Sequence, residues 1–299
     1  MATIYTQADS NTRKTWFLIS AFLVLIISLG WLFSYLLDSY IILIVCTIIS
    51  ILMSFGSYWY SDRVVLKISK AVPIEKKDNP ELYRIVENLS ITAGLPVPII
   101  YIINEAQPNA FTTGRDADHA IIAVTRGLLE KLDRAELEGV VAHELAHIGN
   151  KDMLLGTVIV ILVGVAAMLS RLFLRISFHS GSRRRSSKDS AAAIIMILGI
   201  VAAILAPIAA TLIRLAISRK REFLADATGV LLTRYPEGLA RALEKISLDP
   251  SSLKVANDST SHLYISSPFK GNESQNWLTK LFMTHPPIEA RIKALRKLG

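Results

Sequence analysis

Residues 140–152 read VVAHELAHIGNKD. His143 and His147 stand four apart, and Glu144 directly follows the first of them. On an α-helix, positions four apart share a face, so both imidazoles can turn a ring nitrogen onto one zinc ion. Glu144 lies about 100° around the helix from His143, beside such an ion but not aimed at it. That placement suits a carboxylate that works as general base on water, not one that binds the metal. This is the zincin pattern. Val140, Val141, Ala142, Leu145 and Ala146 surround the polar triplet. They predict that it is half-buried, where His and Glu need partners that a metal provides.

Two histidines do not complete a catalytic zinc site, which takes three protein ligands and keeps one position open. The metzincin continuation needs Gly three residues after His147 and His three further on. Asn150 and Met153 stand there, which excludes that subclass. Downstream, SRKREFLADATG at 218–229 offers Glu222 and Asp226, again four apart. Glu222 as ligand, with Asp226 accepting from a histidine's other nitrogen, matches the carboxylate–histidine–zinc arrangement.

Working outward, 52% of the 299 residues are hydrophobic and 19% are charged, which implies apolar blocks separated by water-facing segments. Residues 15–37 and 40–60 carry no charge. Each is long enough as a helix to cross a hydrocarbon core of about 30 Å. Trp16, Trp31, Tyr35, Tyr40, Trp59 and Tyr60 sit towards the ends of these blocks, as interfacial aromatics do. Blocks 153–174 and 191–216 are also long and apolar. The chain therefore reads as a multi-pass membrane protein, with the first block a retained anchor and not a cleaved signal. Arg13 and Lys14 before block one, and Arg63, Lys67 and Lys70 after block two, place the N-terminal tail and the 61–152 segment in the cytoplasm. The loop holding Arg183, Arg184 and Arg185 leaves open whether blocks three and four fully span. Either way an even number of crossings returns 217–299 to the side of the motif.

The net charge of +8 suits a protein held against anionic lipid, and no basic run interleaved with aromatics points to nucleic acid. Cys46 is the lone cysteine, so there is no internal disulfide and no cysteine-rich metal site. The water-facing segments predict a helix over 79–94, begun at Pro80 and ended by Gly94, and a strand over 98–103. They predict a hairpin of 109–114 with 119–124, helices over 126–133, 135–150, 219–233 and 236–247, a polar loop around 250–275, and a last helix over 286–298. His119, His179 and His262 read as ordinary histidines.

With these residues assembled, the chain resembles the HtpX family of membrane zinc metalloendopeptidases, relatives of the CAAX prenyl endopeptidases. The likeness rests on the paired N-terminal apolar blocks, NAFTTG at 109–114, VAHELAH at 141–147, REFLADATG at 221–229 and THPPIEARIKAL at 284–295. It implies an α-helical membrane protein with a small α+β gluzincin-type metalloprotease domain, mainly α with a short β-sheet. The domain layout is a membrane hairpin at 1–60, a cytoplasmic protease domain at 61–152 and 217–299, and an inserted hydrophobic hairpin at 153–216. It implies one zinc ion held by His143, His147 and Glu222, with Glu144 as the catalytic carboxylate. The implied role is quality-control proteolysis, under stress, of misfolded or damaged membrane proteins on the cytoplasmic side of the cell membrane.

Two further pieces are similar to family motifs. Asn109, Ala110 and Phe111 form a strand edge where a peptide substrate can add. His285 can donate to the oxyanion of the tetrahedral intermediate, and Arg291 can anchor that segment to a carboxylate such as Asp226 or support the intermediate. Two other readings remain at this point. One is a CAAX-type prenyl-protein protease, which four apolar blocks at most count against. The other is a non-catalytic membrane scaffold with a structural zinc, which has little use for Glu144.

Overall fold

The structure is a computed structural model that describes residues 4–36, 38–165, 197, 201, 219–255, 259–269 and 286–298. Helices α1 (Ile4–Leu36) and α2 (Tyr40–Ser69) are joined by a link short enough to make them antiparallel neighbours. Trp16, near the start of α1, accordingly stacks on Tyr58, late in α2, at 5.5 Å between ring centroids. Among the described residues, two stretches are long and apolar enough to cross a membrane, Asp9–Leu32 and Leu43–Ser69. The second runs nine residues past the apolar block, through charged Asp62, Arg63 and Lys67. Lys70 then stops the helix in the left-handed conformation, with the Ala71 N–H donating to the carbonyl of Leu66.

After α2 comes a sheet the sequence revealed only in part. Strands β1 (Val72–Pro73), β2 (Ile99–Ile103), β3 (Ala110–Thr113) and β4 (Ile121–Thr125) lie in the order β1-β2-β4-β3. The expected hairpin is β3 with β4, in antiparallel register with Phe111 opposite Ala123. His119 falls outside it, in a short 3-10 turn at Ala117–His119 that Asp116 caps. β2 pairs with β4 in parallel, an association of distant segments that no local signal announces. β1 is two residues long and contains a proline, too short to carry a strand pattern of its own.

Helix α3 (Pro80–Ala93) has the expected ends. The Asn79 side chain accepts from the Leu82 N–H, Pro80 takes the first turn and Gly94 closes the helix at φ 66°. A short helix α4 (Arg126–Lys131) follows β4. Helix α5 (Arg134–Gly149) carries the histidine motif and opens on a capping box, with Asp133 and Glu136 each bonding the other's backbone N–H at 2.9 Å. It is buried almost all round, because β-sheet, α3, α7 (Arg219–Thr233) and α8 (Pro236–Leu248) enclose it. Gly139 makes room for α8: a Cβ there would stand 2.6 Å from the backbone N of Leu239.

After α5 the chain bends by 83° into a further helical segment, α6 (Asp152–Val165). Leu155, Val158, Ile159 and Leu162 of α6 pack against Leu18, Ile19, Phe22 and Ile26 of α1. The rest of block three, block four apart from 197 and 201, and the arginine-rich loop lie outside the described residues. A last helix, α9 (Ile288–Leu295), is shorter than expected: it starts only after Pro287 and gives way to a turn at Arg296. The polar stretch read as a loop around 250–275 is, where described, largely inside the protein, with Leu253, Tyr264 and Ile265 buried against the sheet and core.

Candidate metal centre

His143 and His147 leave the same face of α5, and Glu222 meets them from α7. One ligand atom from each lies within 4.8 Å of the other two. The two Nε2 atoms are 3.2 Å apart, and each is 3.8 Å from a Glu222 oxygen. Ligands held about 2.0 Å from zinc in a tetrahedron lie about 3.3 Å from one another, so this triangle is the size the ion requires.

The hydrogen bonds behind the triangle fix its chemistry. His143 Nδ1 is 2.9 Å from Asp226 Oδ1, and His147 Nδ1 is 3.0 Å from Asp152 Oδ2. A carboxylate at each Nδ1 holds the proton there and turns the Nε2 lone pair inward. Two lone pairs and a carboxylate then converge, an arrangement that a cation satisfies. Burial opposes a positive imidazole, but the Asp152 hydrogen bond and the Glu222 charge lift the His147 pKa to about 9, so a metal binding there displaces a proton from Nε2. That excess of negative charge also favours a divalent ion.

Close packing brings α7 near enough. Gly229 lies against α5 at His143, where an added Cβ would come within 3.0 Å of the His143 backbone N. Arg291, fully buried on α9, grips Asp226 with two bonds of 2.9 and 2.6 Å from Nε and Nη2. Its Nη1 donates to the Ile265 carbonyl at 3.0 Å and lies 3.4 Å from Glu222 Oε2. Although burial alone would raise it, the Asp226 carboxyl stays below the usual range because of Arg291 and then His143.

Glu144 is 2% exposed and stands beside the triangle. The Thr112 hydroxyl of β3 donates to its Oε2 at 2.5 Å. Thr112 and Glu144 line one small cavity with His147, Glu222, His262 and Leu263. His262 is thus at the site, its Nε2 donating to the Gly156 carbonyl at 3.0 Å, although its isolated position in a polar stretch had marked it as ordinary.

β3 is the rim of the sheet, but its first part is not open. Asn109, Ala110 and Phe111 are fully buried because residues 264–266 run alongside. The Ile265 N–H donates to the Ala110 carbonyl at 3.0 Å, Asn109 Nδ2 donates to the Ser266 carbonyl at 3.0 Å, and Tyr264 meets Phe111 edge-on at 5.2 Å. Alternation along a strand turns the backbone groups of Thr112 the same way as those of Ala110, beside Glu144. The part of the edge that borders the site cavity is therefore centred on Thr112, itself 5% exposed. His285 lies outside the described residues.

Residues 76–299 match Peptidase family M48. The chain belongs to peptidase family M48. Within it, this M48 peptidase is similar to proteins described as Protease HtpX homolog. That of Thermoanaerobacter pseudethanolicus is 42% identical over 99% of this chain and 98% of its own length. That of Dictyoglomus thermophilum is 44% identical over 99% of this chain and 95% of its own length. The crystal structure of S. mikatae Ste24p aligns with 94% of this chain and 66% of its own, with 21% identity and a TM-score of 0.47. The resemblance read from the sequence holds, and the protein is a membrane metalloendopeptidase.

Four residues that touch the proposed ligands, their partners or Glu144 carried no sequence signal. Asp152, five residues after His147, would face about 140° away on a continuous helix. The bend at 150–151, with Lys151 at φ 54°, turns it back. Thr112 stands in the quoted NAFTTG, yet only the β3–α5 packing brings it to Glu144. Arg221, buried and 3.7 Å from Asp152, stands in the run Arg219-Lys220-Arg221, whose composition alone suggests a solvated face. Asn11, in the first membrane helix, hydrogen-bonds Asp152.

Proposed function

We propose that the protein is a zinc-dependent endopeptidase that cleaves unfolded or misfolded membrane proteins at the cytoplasmic face of the cell membrane, as a quality-control enzyme. The observation that carries the reading is the inward convergence of two imidazole Nε2 atoms and the Glu222 carboxylate beside the buried Glu144. His143, His147 and Glu222 would hold one zinc ion, which supplies Lewis acidity to a water and to the scissile carbonyl. Thr112 pins Oε2 of Glu144 and orients the carboxylate. Glu144 takes the proton of the attacking water and passes it to the leaving amine. The substrate backbone adds to the β3 edge at Thr112, which requires an extended segment and reads few side chains, so unfolded chains are favoured. Asn109, Ala110 and Phe111 lead into that edge, and residues 264–266 cover them, so their part is to hold Thr112 in register. His285 is suited to donate to the developing oxyanion, and the two bonds from Arg291 to Asp226 support the anchoring role for Arg291.

The cytoplasmic placement rests on the cations at the ends of the two candidate spans, Arg13 and Lys14 on one and Arg63, Lys67 and Lys70 on the other. The multi-pass reading, with blocks three and four as a second hairpin, rests on the apolar length of those blocks.

The test is Glu144→Gln in detergent-purified protein. Zinc content stays at the parent's level while cleavage of casein falls by at least about 100-fold. A variant that cuts as well as the parent would remove Glu144 from the mechanism. Glu222→Ala should lose the metal, and undiminished zinc there would move the third ligand elsewhere.

A further inference from the structure

We propose that Asn11 of the first membrane helix is a positioning residue of the zinc site, acting on His147 through Asp152. The inference rests on the ligand set proposed above and extends it to the start of the first helix, just ahead of its apolar block.

Asp152 is the first residue of α6, and its two oxygens have separate duties. Oδ2 lies 3.0 Å from His147 Nδ1, and Oδ1 accepts from Asn11 Nδ2 at 2.5 Å. A carboxylate held at both oxygens has its plane fixed. The imidazole plane, and hence the direction of the Nε2 lone pair, is fixed in turn. The same Asn11 amide donates to the Asn150 carbonyl at 3.1 Å. It therefore spans the bend, touching the residue that caps α5 on one side and the first residue of α6 on the other.

The setting makes this more than a polar contact between helices. Asn11 is fully buried, 139 and 141 residues from its partners in sequence. One turn further along α1, Thr15 returns its hydroxyl to the Asn11 carbonyl and leaves the amide alone. The next turns of α1, through Leu18 and Phe22, carry the apolar seam against α6. Apolar packing would hold these two helices together without Asn11. What the amide adds is a directed donor at the one oxygen of Asp152 that His147 does not use. Arg221 stands 3.7 Å from that same oxygen, beyond hydrogen-bond range, and balances the charge without fixing the orientation. The membrane helix thus contributes to the geometry of a metal ligand, and movement of α1 against α6 is transmitted to His147.

The test uses full-length protein in detergent, with zinc affinity measured by competition against a chromophoric chelator and the ligand field read from the visible spectrum of the Co²⁺ form. Outer partners of ligating histidines change metal affinity by about 10–100-fold. Asn11→Ala, one bond further out, should weaken zinc by about tenfold and shift the cobalt bands, with Asn11→Ser recovering part of both. In an Asp152→Ala background, Asn11→Ala should weaken zinc no further. Phe22→Ala loosens the same helix pair without touching the amide and should leave zinc affinity within about twofold. Parental affinity and an unchanged cobalt spectrum in Asn11→Ala would overturn the inference, as would an equal loss in Phe22→Ala. If Asn11→Ala does not fold, the same reading is taken from Asn11→Ser. A parent that binds no zinc overturns the ligand assignment along with it, whereas a zinc-binding parent with indifferent Asn11 variants overturns this inference alone.

Discussion

The two histidines of the motif are supported by unlike means. Behind His143 stands an ion pair sealed inside the peptidase domain, with Asp226 on α7 and Arg291 on α9, both 4% exposed or less at the side chain. Behind His147 stands Asp152, at the start of a helix that packs on the first membrane span, held by a neutral amide and by Arg221 at longer range. One half is fixed by charge within the soluble core. The other is fixed by direction, across the junction between that core and the membrane helices. The fixed half sets where the site is, and the junction half sets how well the second imidazole is aimed.

The largest effect should come from breaking the charged half. Arg291→Leu leaves Asp226 buried opposite no cation, and removing one partner of a buried pair costs about 3–5 kcal/mol. Denaturant unfolding of the purified protein should register that loss, together with loss of bound zinc. Arg291→Lys should not restore stability fully, because an ammonium cannot reproduce the two parallel bonds to Asp226. If Arg291→Leu and Asn11→Ala cost the same in stability, the distinction between the two halves is wrong.

Next comes the contact that lets the charged half approach. Gly229→Ala sets a methyl 3.0 Å from the backbone N of His143, and that backbone is in the middle of a helix enclosed on all sides. Overpacking of this kind costs about 1–3 kcal/mol. Zinc affinity should fall more than stability suggests, since α7 carries Glu222 and is pushed away from both histidines. Unaltered zinc affinity in Gly229→Ala would mean that α7 can shift without moving its ligand.

How far the sequence told these halves apart follows from distance along the chain. The HELAH spacing exposes both histidines and Glu144 because helical geometry alone relates them. Glu222 and Asp226 were legible for the same reason, as a second pair four apart. Helix α3 could be placed closely because its stop and start are written in Asn79, Pro80 and Gly94. What was missed needed tertiary knowledge. The parallel pairing of β2 with β4 and the burial of Tyr264–Ile265 against β3 have no local pattern. Asp152 was within the opening stretch, yet regular helical spacing pointed it the wrong way. Asn11 lies in the tail ahead of the first apolar block, where the signal is the charge of Arg13 and Lys14 and a single amide does not register.

Thr112 serves neither histidine, and so separates metal binding from proton transfer. Thr112→Val keeps shape but removes the donor to Glu144 Oε2. Hydrogen bonds to charged groups contribute about 1.5–3 kcal/mol, so kcat on an unfolded substrate should fall by about 10–100-fold. Zinc content should stay at the parent's level. A fall in zinc content of similar size would join Thr112 to the metal site and take away its separate role.

The smallest effect should be at Lys151, and it is the sharpest probe of the junction half. The claim there is that the bend, and not the lysine side chain, brings Asp152 round to His147. Lys151 sits at φ 54°, a conformation that costs an L-residue about 1–2 kcal/mol and glycine almost nothing. Lys151→Gly relieves that strain but frees the unfolded chain by about 0.4–1 kcal/mol, so stability should change by less than about 1 kcal/mol. Zinc affinity should be unchanged. Lys151→Val, with a β-branched side chain poorly suited to the left-handed region, should lose stability and zinc together. If glycine at 151 weakens zinc as valine does, the lysine itself and not the turn it makes is holding Asp152 in place.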